Sequence, residues 1–214
     1  MKLKHTLSIA LGGYTVNLII NLATTFLFNE KAFQNVYTWI NNSGDYITRT
    51  ANNVNTLFYV FVFLGCIFFI ISLLKMKKNM KLQAIATITA ILFGISLAYN
   101  LTILFWDLSA MLGEEKEVNV YFWSFALGGI MSWIDWFAHL GLLIMFICMK
   151  KLMPLTRIIG VIASLLTILR LLAVLFGINV YEPMINQTFF FVNRILWCTM
   201  LLLLCMNSDL LEEK

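Results

Sequence analysis

Apolar residues along this chain gather into six long stretches, at residues 6–28, 57–74, 82–106, 121–149, 155–178 and 189–206, separated by short polar connections. Each stretch is close to the roughly 20 apolar residues that an α-helix needs to cross a hydrocarbon core at about 1.5 Å per residue. The pattern predicts an all-α polytopic membrane protein, a single six-transmembrane-helix bundle over residues 1–214. The first stretch follows Met1-Lys2-Leu3-Lys4-His5 and superficially resembles a signal peptide. It is longer than the ~7–15 residues of a secretory apolar region and no A-x-A-like site follows, so it reads as a retained first span.

Within the stretches, polar and small residues recur on single faces when wound at about 100° per residue. The first aligns Ala10, Gly13, Asn17, Asn21 and Thr24. The third aligns Thr89, Ser96, Asn100 and Asp107, and its Ala86, Ala90 and Gly94 form a small-residue row suited to close helix contact. The fourth aligns Ser124, Gly128, Ser132, Asp135 and His139, with Trp136 about a quarter turn away and Trp133 nearly opposite. The fifth aligns Gly160, Ala163, Thr167, Arg170 and Gly177, and the sixth Gln187, Arg194, Cys198 and Cys205. The second, rich in Phe61, Phe63, Phe68 and Phe69, has almost nothing polar and is expected at a lipid-facing edge.

Asp135 falls near the middle of its span, where a carboxylate costs roughly 2.5–3.5 kcal/mol on insertion scales and calls for a partner or a wet cavity. Arg170, Arg194, Asn17 and Asn21 fall at similar depth, with Asn100 nearer the outer surface. The candidate ligand-binding residues are therefore Asp135, His139, Arg170, Arg194, Asn17, Asn21 and Asn100, with Trp136 and Trp197 as walls. The formal sum of Asp135, Arg170 and Arg194 is +1, room for one anionic group. Two readings compete: Asp135 pairs with one arginine to fix helix register, or the guanidiniums offer donors to a carboxylate or phosphate.

Composition agrees with the pattern. Of 214 residues, 61% are hydrophobic and 12% charged, against roughly 25% charged in a soluble domain. The net charge of +4 does not point to nucleic acid, because the basic residues flank the apolar stretches, where they set topology and meet anionic lipid. Lys2 and Lys4, then Lys75, Lys77, Lys78 and Lys81, then Lys150, Lys151 and Arg157 fall on one side. The opposite connections carry Lys31, Arg49 and Lys116 beside Asp107, Glu114, Glu115 and Glu117. Both termini are expected in the cytoplasm.

Residues 29–53 form the one long outer connection. Phe33, Val36, Tyr37 and Ile40 recur there at helical spacing, which fits an outer loop or an interfacial helix. Trp39, Trp106 and Trp123 fall at the outer boundary, where amphipathic rings anchor helices. Pro154 stands at a helix start, and the tail 207–214 reads as a short solvated end.

Chemistry is sparse. Cys66, Cys148, Cys198 and Cys205 form no CxxC pair and read as small apolar thiols. Asp135 and His139, four residues apart, face one way, but a catalytic zinc site takes three protein ligands and the other histidine, His5, lies near the opposite end of a span. No metal or cofactor is expected. The same pair could relay protons or brace the helix by a hydrogen bond. There is no GxSxG, no Gly-rich phosphate loop and no serine beside a base, so no enzyme class is assigned.

The run Asp135-Trp136 … Gly141 … Cys148 … Lys151-Leu152-Met153-Pro154 … Gly160 … Leu175-Phe176-Gly177-Ile178 resembles the second half of a bacterial six-span membrane family catalogued as a domain of unknown function. The resemblance extends to length, the long first outer loop and the basic turn after the fourth span. Arg170 and Arg194, and a last span without glutamate, depart from the family's pattern. The family has no assigned activity, so the resemblance implies architecture and a bacterial inner membrane only. Substrate-binding subunits of energy-coupling-factor vitamin transporters are similar in architecture alone. The expected function is binding or transport of a small anionic molecule or lipid headgroup. The alternatives are an oligomeric channel or interaction protein, and then a membrane-embedded enzyme. The partners implied are membrane lipids, a small anionic ligand, and a homo-oligomeric or other membrane partner.

Overall fold

The computed structural model describes residues 1–28, 46–76, 83–111, 118–149, 152–176 and 183–212. Among these are seven helices and no strand: α1 (Leu3–Phe28), α2 (Tyr46–Met76), α3 (Gln83–Met111), α4 (Val118–Cys148), α5 (Pro154–Leu175), α6 (Pro183–Met206) and the short α7 (Ser208–Glu212). Apolar runs dense in Leu, Ile, Phe and Ala favour helix because lipid leaves the backbone no hydrogen-bond partner but its own carbonyls. Proline opens α5 and α6, where its missing N–H costs nothing.

Four helices carry windows long and apolar enough to cross a bilayer, at Leu3–Ala23, Gln83–Thr102, Gly129–Cys148 and Pro154–Ala173. Shorter apolar stretches lie in α2 (Val60–Met76) and α6 (Phe191–Met206). The helices outrun the apolar stretches. α2 starts at Tyr46 rather than residue 57, an extension of roughly 16 Å at 1.5 Å per residue. Its polar first turns hold a helix as well as apolar residues do, so hydropathy marks the crossing and not the helix end. The expected connection over 29–53 thus ends in α2. Its proposed interfacial helix, Trp39 and the basic and acidic turns around residues 77–82, 112–117 and 150–151 lie outside the described residues, as do the Trp106 and Trp123 side chains.

The six long helices form a closed ring: each packs on its neighbours in sequence, and α6 returns to α1. The interior is largely apolar but also holds the buried polar side chains, and large apolar side chains cover the exterior. Thr6, Asn17, Ser72, Thr89 and Ser164 are buried, while Ile19, Ile88, Ile130, Ile158 and Leu169 are exposed. Such an exterior suits a hydrocarbon surround.

The second helix is not at an edge. It lies between α1 and α3, with Val62, Phe63, Phe69, Ser72 and Leu73 buried and only one face, including Val60, Leu64 and Ile67, exposed. Gly13 lets α1 and α2 touch backbone to backbone: a Cβ there would stand 2.3 Å from the Phe61 carbonyl oxygen and 2.9 Å from Gly65 Cα. Small residues at the crossing let main chains approach, and packing then holds the pair. About two turns toward the N-terminus of α1, the Ser72 hydroxyl donates to Thr6 Oγ1 at 2.7 Å, and Thr6 donates to the Leu3 carbonyl at 2.8 Å.

On α3 the small-residue row is used in part. Ala86 and Ala90 are buried, whereas a Cβ on Gly94 would meet open space. The close approach of α3 to α4 comes from Gly141 instead, against which Thr89 packs; a Cβ at Gly141 would be 2.1 Å from Thr89 Oγ1.

The tail also differs from expectation. Residues 208–212 turn into α7, with Asn207, Ser208 and Leu211 buried. Asn207 Nδ2 donates to Thr156 Oγ1 at 3.0 Å, and Ser208 Oγ to the Cys205 carbonyl at 2.8 Å. Leu211 joins the apolar core, and that burial holds the segment down. At the same end Lys75 Nζ donates to the Met1 carbonyl. Arg157 donates to the Phe146 and Ile147 carbonyls at 3.4 and 3.1 Å, capping the end of α4 as a cation does best.

Gly13→Ala should destabilise the protein by about 1–3 kcal/mol, because the obstructing atom is backbone and cannot swing aside. Gly12→Ala, where a Cβ meets nothing within 4 Å, should cost nothing. Unfolding in mixed micelles checks both.

Candidate functional site

The ring holds a partly open cavity of about 200 Å³ lined from all six long helices. Its base is aromatic. Trp197 of α6 stacks on Tyr14 of α1 at 5.9 Å between centroids, and Phe69 of α2 meets Trp197 edge-on at 5.4 Å. Phe93 of α3 meets His139 of α4 at 5.1 Å, and His139 meets Trp197 at 5.6 Å, both near perpendicular. Edge-to-face contact is the arrangement that ring quadrupoles favour. Five helices, α1 to α4 and α6, are thereby tied together on the side nearer the chain termini.

Polar groups line the cavity one turn or so further from the termini. On α3, Asn100 Nδ2 donates to the Ser96 carbonyl at 2.8 Å and to Ser96 Oγ at 3.3 Å. Ser96 and, from α4, Asp135 both line the cavity. His139 Nδ1 lies 2.7 Å from the Asp135 backbone carbonyl. A carbonyl only accepts, so Nδ1 carries the proton, and in the neutral ring Nε2 is left as an acceptor.

The α5/α6 wall is built differently. Thr167 donates to the Ala163 carbonyl at 2.9 Å and to Asn193 Oδ1 at 3.2 Å, and receives Trp197 Nε1 at 3.5 Å. Arg170 and Arg194 complete that wall. The Arg194 guanidinium carbon sits 5.6 Å from the Tyr14 ring centroid, within the range of a cation–π contact.

Of the residues singled out in the sequence, Asp135, His139, Arg170, Arg194, Asn100 and Trp197 line this one cavity. Asn17, Asn21 and Trp136 do not. Both asparagines are buried, and the Asn21 amide donates to Asn17 Oδ1 and to the Asn17 carbonyl, each at 2.9 Å. They bond along α1, and Tyr14 is the α1 residue at the cavity. Trp136 is half-buried on another face of α4. Its ring meets Trp133 at 6.3 Å and Phe137 at 5.0 Å, both partly exposed. The Trp136 Nε1 is buried with no hydrogen-bond partner among the described residues. One residue beyond Asp135 is about 100° around the helix, enough to leave the cavity.

Sequence reasoning missed Tyr14, Cys66, Phe93 and Asn193. Asn193 adjoins Arg194, and Tyr14 lies three residues before Asn17 on one face, so both were within reach of the stripe argument. Cys66, whose Sγ is 2.9 Å from Tyr14 Oη, lay in the span set aside as lipid-facing.

Comparison with known protein families, curated proteins and solved structures finds no match. The likeness to a six-span bacterial family therefore stands on the quoted residues alone.

Thr167→Val keeps shape and removes the hydroxyl shared by Asn193 and Trp197. The loss should be about 0.6–1.7 kcal/mol, the range for side-chain hydrogen bonds between membrane helices. Trp197→Ala should cost about 3–5 kcal/mol, as for a large buried aromatic. Both are read as shifts in unfolding free energy in mixed micelles.

Proposed function

We propose that this chain is a six-span protein of the bacterial inner membrane that binds, or carries, a small molecule with a carboxylate or phosphate in its central cavity. The observation that carries the reading is the pair Arg170 and Arg194 on adjacent helices lining one partly open cavity. Guanidiniums are costly at membrane depth and suit carboxylate and phosphate geometry, so two of them at one cavity favour an anionic group. The cavity is smaller than the roughly 300–1,000 Å³ of drug-sized sites, which favours a compact ligand or a headgroup over a bulky one.

Six spans are supported by the apolar stretches of α2 and α6, Val60–Met76 and Phe191–Met206, and by their place in a ring with four longer crossings. Cytoplasmic termini are supported by the alternation of lysine and arginine. Met1, Lys75, Arg157 and Asn207 lie together at one end, through the Lys75–Met1 and Asn207–Thr156 bonds. Impermeant maleimide on intact cells should label single cysteines placed at Asn42 or Glu115 and spare those at Lys78 or Lys151. The reverse pattern would invert the topology.

Ligands bearing carboxylate or phosphate should stabilise wild-type protein in thermal-shift titrations. Arg170→Gln and Arg194→Gln should each weaken binding by about 2–5 kcal/mol, as expected when a desolvated charge loses its partner. Equal stabilisation of wild type and both variants would remove the basis for the site.

A further inference from the structure

We infer that the cavity takes a small zwitterion, a compact molecule with an ammonium at one end and a carboxylate or phosphate at the other. The inference rests on the ligand-binding reading and names its ligand class. It follows from how hydrogen-bonding capacity is divided around the ring. The α3/α4 wall offers acceptors: the Asp135 carboxyl, which lines the cavity, and His139 Nε2, left as an acceptor because Nδ1–H is committed to the Asp135 carbonyl. The α5/α6 wall offers Arg170 and Arg194, whose guanidiniums donate and cannot accept.

A plain anion suits the arginines but brings negative charge toward Asp135 and a lone pair toward another lone pair at His139. A plain cation meets the opposite conflict. A molecule carrying both charges matches both walls at once: its ammonium has three donors for the α4 acceptors, and its acid group meets the guanidiniums.

The remaining lining fits the same ligand. Asn100 and Asn193 amides can donate or accept at either end. The Phe93 and Trp197 rings at the base present apolar surface and π-faces to a short carbon chain and its ammonium. At about 200 Å³ the space equals roughly seven waters at about 30 Å³ each, enough for a few carbons and two charged groups. Free amino acids and zwitterionic phospholipid headgroups share this chemistry.

The test compares matched probes on the purified full-length protein. Glycine, β-alanine and O-phosphoethanolamine are titrated beside acetate, propionate and ethyl phosphate, which lack the ammonium, and ethylamine, which lacks the acid. Nanodiscs of phosphatidylethanolamine are compared with nanodiscs of phosphatidylglycerol to separate a headgroup from a free ligand. At least one zwitterion, free or in lipid, should bind on the order of tenfold more tightly than its matched anion. Asp135→Asn should erase that preference and keep anion binding. If that variant does not fold, the wild-type comparison decides alone. Anions binding as well as their matched zwitterions would overturn the zwitterion while leaving the anion site intact. Failure of every probe would overturn both.

Discussion

A polar side chain on a helix in hydrocarbon has no solvent to turn to, and that constraint orders this molecule. Each long helix with a polar stripe must face others with polar stripes, and a closed ring is the arrangement that shelters every stripe at once. The consequence is an apolar exterior of residues such as Ile19, Ile88 and Leu169 around buried Thr6, Asn17, Ser96 and His139. Hydrophobic burial does not drive helices together in lipid, so packing and hydrogen bonds must. Both are visible: glycine-mediated contact where α1 meets α2, Thr89 seated on Gly141 where α3 meets α4, and the Thr167–Asn193 bond where α5 meets α6.

The cavity is a product of the same closure. Large rings fill the ring's centre near the termini, and Tyr14, Phe69, Phe93, His139 and Trp197 form a near-continuous plate. Beyond that plate the inward residues are amides, hydroxyls and ions whose shapes do not interlock as rings do, and space is left. The Asp135 carboxyl comes to it from α4 and the Arg170 and Arg194 guanidiniums from α5 and α6, so groups of opposite formal charge line different walls.

Much of the site was legible in the residues. Asp135 and His139 share a face by their spacing, and Arg170, Arg194 and Asn100 sit at compatible depth, so their meeting at one cavity follows from helix geometry. Asn17 and Asn21 share the inward stripe but bond to each other along α1, because an i, i+4 amide pair finds its partner locally. Trp136 was misplaced because one residue beyond Asp135 is about 100° around the helix, enough to leave the cavity. The α2 contribution could not be read, since Phe63, Cys66 and Phe69 look the same whether they face lipid or a neighbour's rings.

The sequence alone determined helicity, the apolar stretches, the inward stripes and the level of the charges, because each depends only on residue type and about 100° of turn per residue. The tertiary structure decided what depends on partners. It put α2 between α1 and α3 and folded residues 208–212 under the bundle. It also brought Asp135 and Ser96 to one cavity and set Trp136 outside it. Asp135 marked the depth at which something polar had to gather; only the closing of α6 onto α1 fixed which side chains share the space with it.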